Sequence, residues 1–207
     1  MQIEQQNRLK LEHLEALDQS GWVQIQVDQF WNPLLIQAQH LLKNTAFIKS
    51  EIKGLNADSK IKQNSSTEQI RNDIIHWIEK STLIQAEINL NHFLMLLKND
   101  LKNYFRIGLD DFETHYAIYD KNHFYQRHSD QKIVNNKRIF SFVYYLNYDW
   151  KTENGGQLVG YQDNSDQEIF KIQPEAGCLI IFKSQIEHQV LPSHSPRYSV
   201  TGWFRIV

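Results

Sequence analysis

The chain has 207 residues, 22 basic against 24 acidic, and a formal charge of −2, so its overall electrostatics give no reason to favour nucleic acid or an anionic membrane. Its length suits one domain, 1–207, because folding at this size buries about 70% of the surface the unfolded chain exposes, and no Pro/Gly-rich linker divides it. Cys178 is the single cysteine, which excludes an intrachain disulfide; Met1 to Lys10 lacks the apolar run of a signal peptide and no later stretch is apolar enough to span a bilayer, so a cytoplasmic protein is expected.

The first part, 1–110, reads as mainly helical. A leading helix is predicted from about Gln2 to Gln19 on Leu14 and Leu17, stopped by Asp18-Gln19-Ser20-Gly21. Val23, Ile25 and Val27 alternate with glutamines as a half-buried strand does. Asn32-Pro33 then reads as an N-cap with a first-turn proline, opening a helix whose stripe is Leu34, Leu35, Ala38, Leu41 and Leu42. From Lys49 to Gln69 the apolar pattern fails, and the expectation is a binding loop or lid, with a plain surface loop as the competitor. Ile70 to Ile78 reads as strand-like, with Asp73 and Trp77 fixing the base of that loop. A third helix is expected from about Thr82 to Phe105, with Leu90, Phe93, Leu94, Leu97, Leu101 and Tyr104 on one face.

From 111 onward the period changes to two. Phe112 to Tyr119, Arg138 to Asn147, Gln157 to Tyr161, Ile169 to Gln173, Cys178 to Phe182, His188 to Leu191 and Tyr198 to Ile206 read as strands separated by turn-prone groups such as Asn154-Gly155-Gly156. Many short strands at this spacing predict an α+β, mainly β fold: a jelly roll in 111–207, with the N-terminal helices packed outside one sheet.

On that scaffold His128-Ser129-Asp130 is followed at a distance by His188 and then by Arg197. Two imidazoles and a carboxylate form the ligand set of non-haem Fe(II) oxygenases, which leaves the opposite face of the octahedron open. In an extended segment residues i and i+2 project to one side, so His128 and Asp130 can face one ion, with His188 arriving from the opposite wall of a two-sheet cavity. The same period puts Arg197, Ser199, Thr201 and Trp203 on one face and Tyr198, Val200 and Phe204 on the other. Arg197, with its planar fork of donors, is a candidate anchor for the distal carboxylate of a keto acid.

These residues resemble the 2-oxoglutarate-dependent Fe(II) oxygenases. More narrowly, Tyr125-Gln126-Arg127-His128-Ser129-Asp130, the run Val143-Tyr144-Tyr145-Leu146-Asn147-Tyr148-Asp149-Trp150, Gly155-Gly156-x-Leu158, Arg197-Tyr198-x-x-Thr201-x-Trp203 and Ile70-Arg71-Asn72-Asp73-x-x-x-Trp77-Ile78 resemble the prolyl 4-hydroxylase-domain enzymes, animal oxygen sensors and their bacterial relatives. The likeness runs from about Leu9 onward. It implies a double-stranded β-helix core in which His128, Asp130 and His188 bind Fe(II), and in which 2-oxoglutarate and O2 are co-substrates. It further implies that Arg197 holds the 5-carboxylate with Tyr145 donating to it, Tyr119 stands near the keto acid, Val143 and Leu158 are apolar walls, Thr201 supplies a hydroxyl and Trp203 an aromatic flank. Arg127 and Arg71 would lie toward the substrate. The implied reaction hydroxylates a prolyl residue of a protein with release of succinate and CO2. The alternatives are the same cofactors with a non-prolyl or small-molecule substrate, and a jelly-roll binding module without turnover. His123 and His194 are read as surface histidines, Tyr144 and Tyr148 as structural. Arg205 does not fit the second arginine of the oxidative nucleic-acid demethylases.

Overall fold

The computed structural model describes residues 8–50, 70–131 and 137–207, so most of the expected 49–69 lid lies outside the described residues. The elements in order are α1 (Leu11–Ser20), β1 (Trp22–Gln26), α2 (Trp31–Lys43), β2 (Ile48–Lys49), β3 (Ile74–Trp77), α3 (Gln85–Phe105), β4 (Asp111–Tyr119), β5 (Tyr125–His128), β6 (Arg138–Tyr145), a 3-10 turn (Thr152–Asn154), β7 (Leu158–Tyr161), β8 (Glu168–Ile172), β9 (Cys178–Lys183), β10 (His188–Val190) and β11 (Arg197–Arg205). The strands form a large sheet, β1-β9-β6-β11-β4-β3-β2, and a small one, β5-β10-β7-β8, all paired antiparallel. No helix among the described residues is long and apolar enough to cross a membrane.

Local rules explain the helices, with two corrections. α1 buries Leu14 and Leu17 and stops at Gly21, whose φ of +80° lets its N–H return to the Leu17 carbonyl. It begins at Leu11, after a segment in which Arg8 is ion-paired with Asp100 of α3 and the Leu9 N–H donates to that carboxylate at 3.1 Å; the part of the expected helix before Arg8 lies outside the described residues. α2 begins one residue before the expected cap: Phe30 is the N-cap and Asn32 is already helical, while Pro33 sits in the first turn, where its missing N–H is harmless. Aromatic packing sets this entry, with Phe30 on Phe93 at 5.1 Å between ring centroids and Trp31 stacked on Tyr148 at 5.9 Å. α3 buries Leu90, Leu94, Leu97 and Leu101 on one stripe. Leu97 is fully buried, and its truncation to alanine would cost about 2–5 kcal/mol.

Period two divides the large sheet into two faces. Tyr116, Phe140, Phe142, Tyr144, Leu179, Ile181, Val200 and Phe204 point outward into one core with Leu17, Leu34, Leu90 and Leu97 of the three helices. Their strand neighbours Ala117, Tyr119, Val143, Tyr145, Ile180 and Phe182 point inward and meet Leu158, Phe170, Ile172 and Val190 of the small sheet in a second core. Tyr144 is structural: its hydroxyl donates to the Val27 carbonyl at 2.5 Å. The second core is incomplete at its centre, and the space left there is the site.

Candidate active site

Between the sheets lies a cavity of about 660 Å³ lined by β3, β4, β6, β11 and the small sheet. His128 closes β5 and His188 opens β10, and the two are direct cross-strand partners. This corrects the expected geometry: the two imidazoles come from adjacent strands of the small sheet, not from opposite walls. Asp130 lies in the bend just beyond β5. One ligand atom from each of the three residues lies within 4.8 Å of the others, with Asp130 Oδ1 3.7 Å from His128 Nε2 and Asp130 Oδ2 3.6 Å from His188 Nε2.

The surroundings aim these atoms. His128 Nδ1 is 2.8 Å from the Gln126 carbonyl and His188 Nδ1 is 2.9 Å from the Ile186 carbonyl, so each Nδ1–H donates to backbone and each Nε2 presents its lone pair to the shared space. The His128 ring is stacked on Tyr125 at 3.6 Å, and Phe182 meets His188 edge-on at 4.8 Å. Burial pushes the Asp130 carboxyl up, but His188, His128 and the Ser141 hydrogen bond outweigh it and hold the group below the usual carboxylate range. Burial lowers His188 to about 4, so it is neutral at ordinary pH, as a metal ligand must be. Two imidazoles and one ionised carboxylate, converging on one space, are a donor set that fits a divalent iron.

Arg197 is the second feature. It opens β11, is 1% exposed, and lies between the rings of Tyr119 and Tyr145 at 4.8 and 5.0 Å from their centroids. Its Nε has no hydrogen-bond partner, Nη1 makes only a 3.4 Å contact to Ser199 Oγ, and among the described residues no carboxylate pairs with it. The Tyr145 hydroxyl is also buried and unpartnered, and burial raises its pKa, so it stays a donor. A desolvated cation beside an unused O–H is unfavourable unless an anion arrives. A carboxylate with two oxygens would take both the guanidinium fork and the tyrosine hydroxyl.

The remaining sequence-derived residues fall into two groups. Tyr119, Val143, Leu158, Thr201 and Trp203 line the cavity, with Ser199 and the rest of the inward row of β11 beside them. Arg71 also lines it, but its charge is met by Asp73 through hydrogen bonds of 2.7 and 2.6 Å, and Ser50 Oγ adds a third at 2.6 Å. Arg127 does not line the cavity: Glu187, Asp166 and the Ser165 carbonyl occupy its guanidinium over the Tyr161 ring. Arg205 is held by Asp111 and Glu113, and His194 is exposed against the Glu153 carbonyl. His123 is half-buried with an unpartnered Nδ1. Sequence reading missed Ser141 and His115, which share the inward face with Val143 and Ala117 and could have been found by counting in twos along those strands.

Comparison with known proteins agrees with this geometry. The profile of the 2OG-Fe(II) oxygenase superfamily matches residues 114–205. Egl nine homolog 1 of Homo sapiens is 28% identical over 151 residues, which are 69% of this chain and 34% of that protein, so the chain spans about a third of this relative's length. The crystal structure of a Pseudomonas putida prolyl-4-hydroxylase superposes with a TM-score of 0.77 at 29% identity, covering 95% of this chain and 98% of that one. A Trichoplax adhaerens prolyl hydroxylase in complex with a hypoxia inducible factor oxygen degradation domain peptide fragment gives a TM-score of 0.78 at 25% identity, covering 99% and 92%.

Proposed function

We propose that this chain is a 2OG-Fe(II) oxygenase of the prolyl 4-hydroxylase type and hydroxylates a prolyl residue in a peptide or protein substrate. Its cofactor is Fe(II), and 2-oxoglutarate and O2 are co-substrates.

The observation that carries the reading is the buried, anion-less Arg197 beside the orphaned Tyr145 hydroxyl, in the same cavity as the His128, Asp130 and His188 cluster. A dicarboxylate answers both needs at once: its distal carboxylate meets the cation while its keto-acid end reaches toward the metal ligands. His128, Asp130 and His188 would hold the iron, with three protein ligands leaving positions for exogenous ones. Bound iron and 2-oxoglutarate supply, with O2, the oxidising power for hydroxylation and leave succinate and CO2. The protein's part is orientation and exclusion of water. Tyr119, Val143, Leu158 and Phe182 wall the cavity with apolar surface, and Ser141 fixes the carboxylate.

The prolyl assignment is supported by the relatives named above, two of them solved prolyl hydroxylases and one of these bound to a peptide. A cytoplasmic site of action belongs to the same proposal, since Cys178 is a free thiol of the kind a reducing compartment preserves. The test is incubation of the protein with Fe(II), 2-oxoglutarate, air and a library of blocked proline-centred hexapeptides. Succinate release matched mole for mole by one added oxygen on proline is the expected result. Succinate release coupled only to another residue or to a small molecule would reject the prolyl reading.

A further inference from the structure

Toward the other end of the cavity from Arg197, two buried polar atoms have no partner among the described residues: His115 Nδ1 on β4 and Trp203 Nε1 on β11. The residues are 3% and 7% exposed, both line the cavity, and their ring centroids are 5.4 Å apart. Arg197 and Trp203 are separated by six strand positions, or about 20 Å along β11, so this pair is not part of the carboxylate anchor. It lies next to the His128, Asp130 and His188 group instead: Trp203 is the register partner of Ser141, whose hydroxyl holds Asp130.

Both rings are fixed in place. The Arg138 guanidinium covers the Trp203 ring at 3.5 Å and is itself tied to Glu113 by hydrogen bonds of 3.0 and 2.7 Å. Trp77 packs on His115 at 4.8 Å between centroids. Of the described cations, Arg138 is met by Glu113 and Arg71 by Asp73, so neither of them asks for an anion. What the end lacks is an uncharged partner. An indole N–H can only donate, and His115, kept neutral with its pKa lowered to about 3 mainly by burial, has one ring nitrogen able to accept. A peptide backbone, with carbonyl oxygens and N–H groups a few ångströms apart, supplies that complementary set. A free carboxylate would not.

We propose that His115 and Trp203 form a backbone-reading subsite that sets the substrate residue over the metal: Trp203 Nε1–H donates to a substrate peptide carbonyl, and His115 Nδ1 accepts from a neighbouring peptide N–H. The assignment rests on the peptide-hydroxylase reading above and makes His115 a determinant of peptide binding, not of cofactor binding.

The test uses the hexapeptide that the wild-type holoenzyme turns over best. His115→Leu keeps the apolar bulk and loses the nitrogen, whereas His115→Asn returns a polar atom close to the position of Nδ1. The subsite predicts that His115→Leu raises KM for the peptide about tenfold with a smaller change in kcat, that His115→Asn recovers most of that loss, and that dissociation constants for Mn(II) and 2-oxoglutarate stay within about twofold. A space-filling role predicts the reverse order, with leucine the better replacement. An unchanged peptide KM in His115→Leu, equal loss in both variants, or a parallel loss of 2-oxoglutarate affinity would each overturn the subsite while leaving the hydroxylase reading intact. A wild-type enzyme that couples succinate release only to non-peptide substrates would overturn both. Thermal melting checks folding, and should His115→Leu not fold, Trp203→Phe carries the same test: a raised peptide KM supports the subsite and an unchanged one overturns it.

Discussion

Ser141, in the middle of the large sheet, donates a 2.7 Å hydrogen bond to Oδ2 of Asp130, which belongs to the bend beyond the small sheet. Ser184 shares the Ser141 hydroxyl at 2.9 Å, so the carboxylate is braced from across the cavity by a buried pair of serines. Orientation of a ligating carboxylate by such a partner changes metal affinity by about 10–100-fold. Ser141→Ala is accordingly expected to weaken Mn(II) binding about tenfold in calorimetric titration while the melting temperature moves little. Unchanged Mn(II) affinity would show that the bend holds Asp130 without help.

Arg197 offers a test with opposite signs for stability and binding. A buried cation without an anion penalises the free protein, and replacing buried charge by an apolar side chain of similar length is often neutral or stabilising. Arg197→Met should therefore melt at or above the wild-type temperature in the absence of ligand. A ligand that binds the native state raises its melting temperature by mass action, and saturating 2-oxoglutarate should raise that of the wild type but not of Arg197→Met. A variant still stabilised by the keto acid would place the carboxylate elsewhere.

How much of this could be read from the sequence depended on whether a feature was local. The two faces of β11 followed from counting in twos: Val200 and Phe204 lie against the helices while Arg197, Thr201 and Trp203 line the cavity. The leucine stripes of α2 and α3 were equally plain. Cross-strand register was not legible, and it makes His128 and His188 neighbours within one sheet. Counting in twos puts Ser141 on the inward face, but only the packing of the two sheets brings it against Asp130. The likeness carried Arg127 toward the substrate, but Glu187 and Asp166, remote in sequence, take its guanidinium. Period and motif report what a residue can face; register and charge pairing decide what it meets.

His115 also gives the fold a pH signature. Burial lowers its pKa from 6.5 to about 3, so between those values the unfolded chain binds a proton that the folded chain refuses. Stability then rises with pH through the window: the contribution is full above pH 6.5 and is lost as pH falls toward 3, at a slope of up to about 1.4 kcal/mol per pH unit for one proton. Urea unfolding of wild type and His115→Leu across this window should show the wild type losing stability relative to the variant as pH falls, with the variant's curve the flatter. Parallel curves would mean that His115 titrates alike in both states.

Gly156 links backbone conformation to the carboxylate anchor. Its φ is +68°, and a Cβ placed there would come within 3.0 Å of Arg197 Cδ and 3.1 Å of Ser193 Oγ. The left-handed conformation alone costs an alanine about 1 kcal/mol. The contact matters more for function, because Cδ carries the guanidinium that sits against the Tyr119 and Tyr145 rings, and relief of the contact moves it. A planar fork displaced by a few tenths of an ångström keeps its charge but loses the alignment of its two parallel hydrogen bonds. Gly156→Ala should therefore raise the 2-oxoglutarate dissociation constant several-fold, while Mn(II) affinity, set by the small sheet and Ser141, stays at the wild-type value. Calorimetric titration of each ligand separates these outcomes. Equal losses for metal and keto acid would mean that the glycine shapes the whole cavity and not the Arg197 end alone.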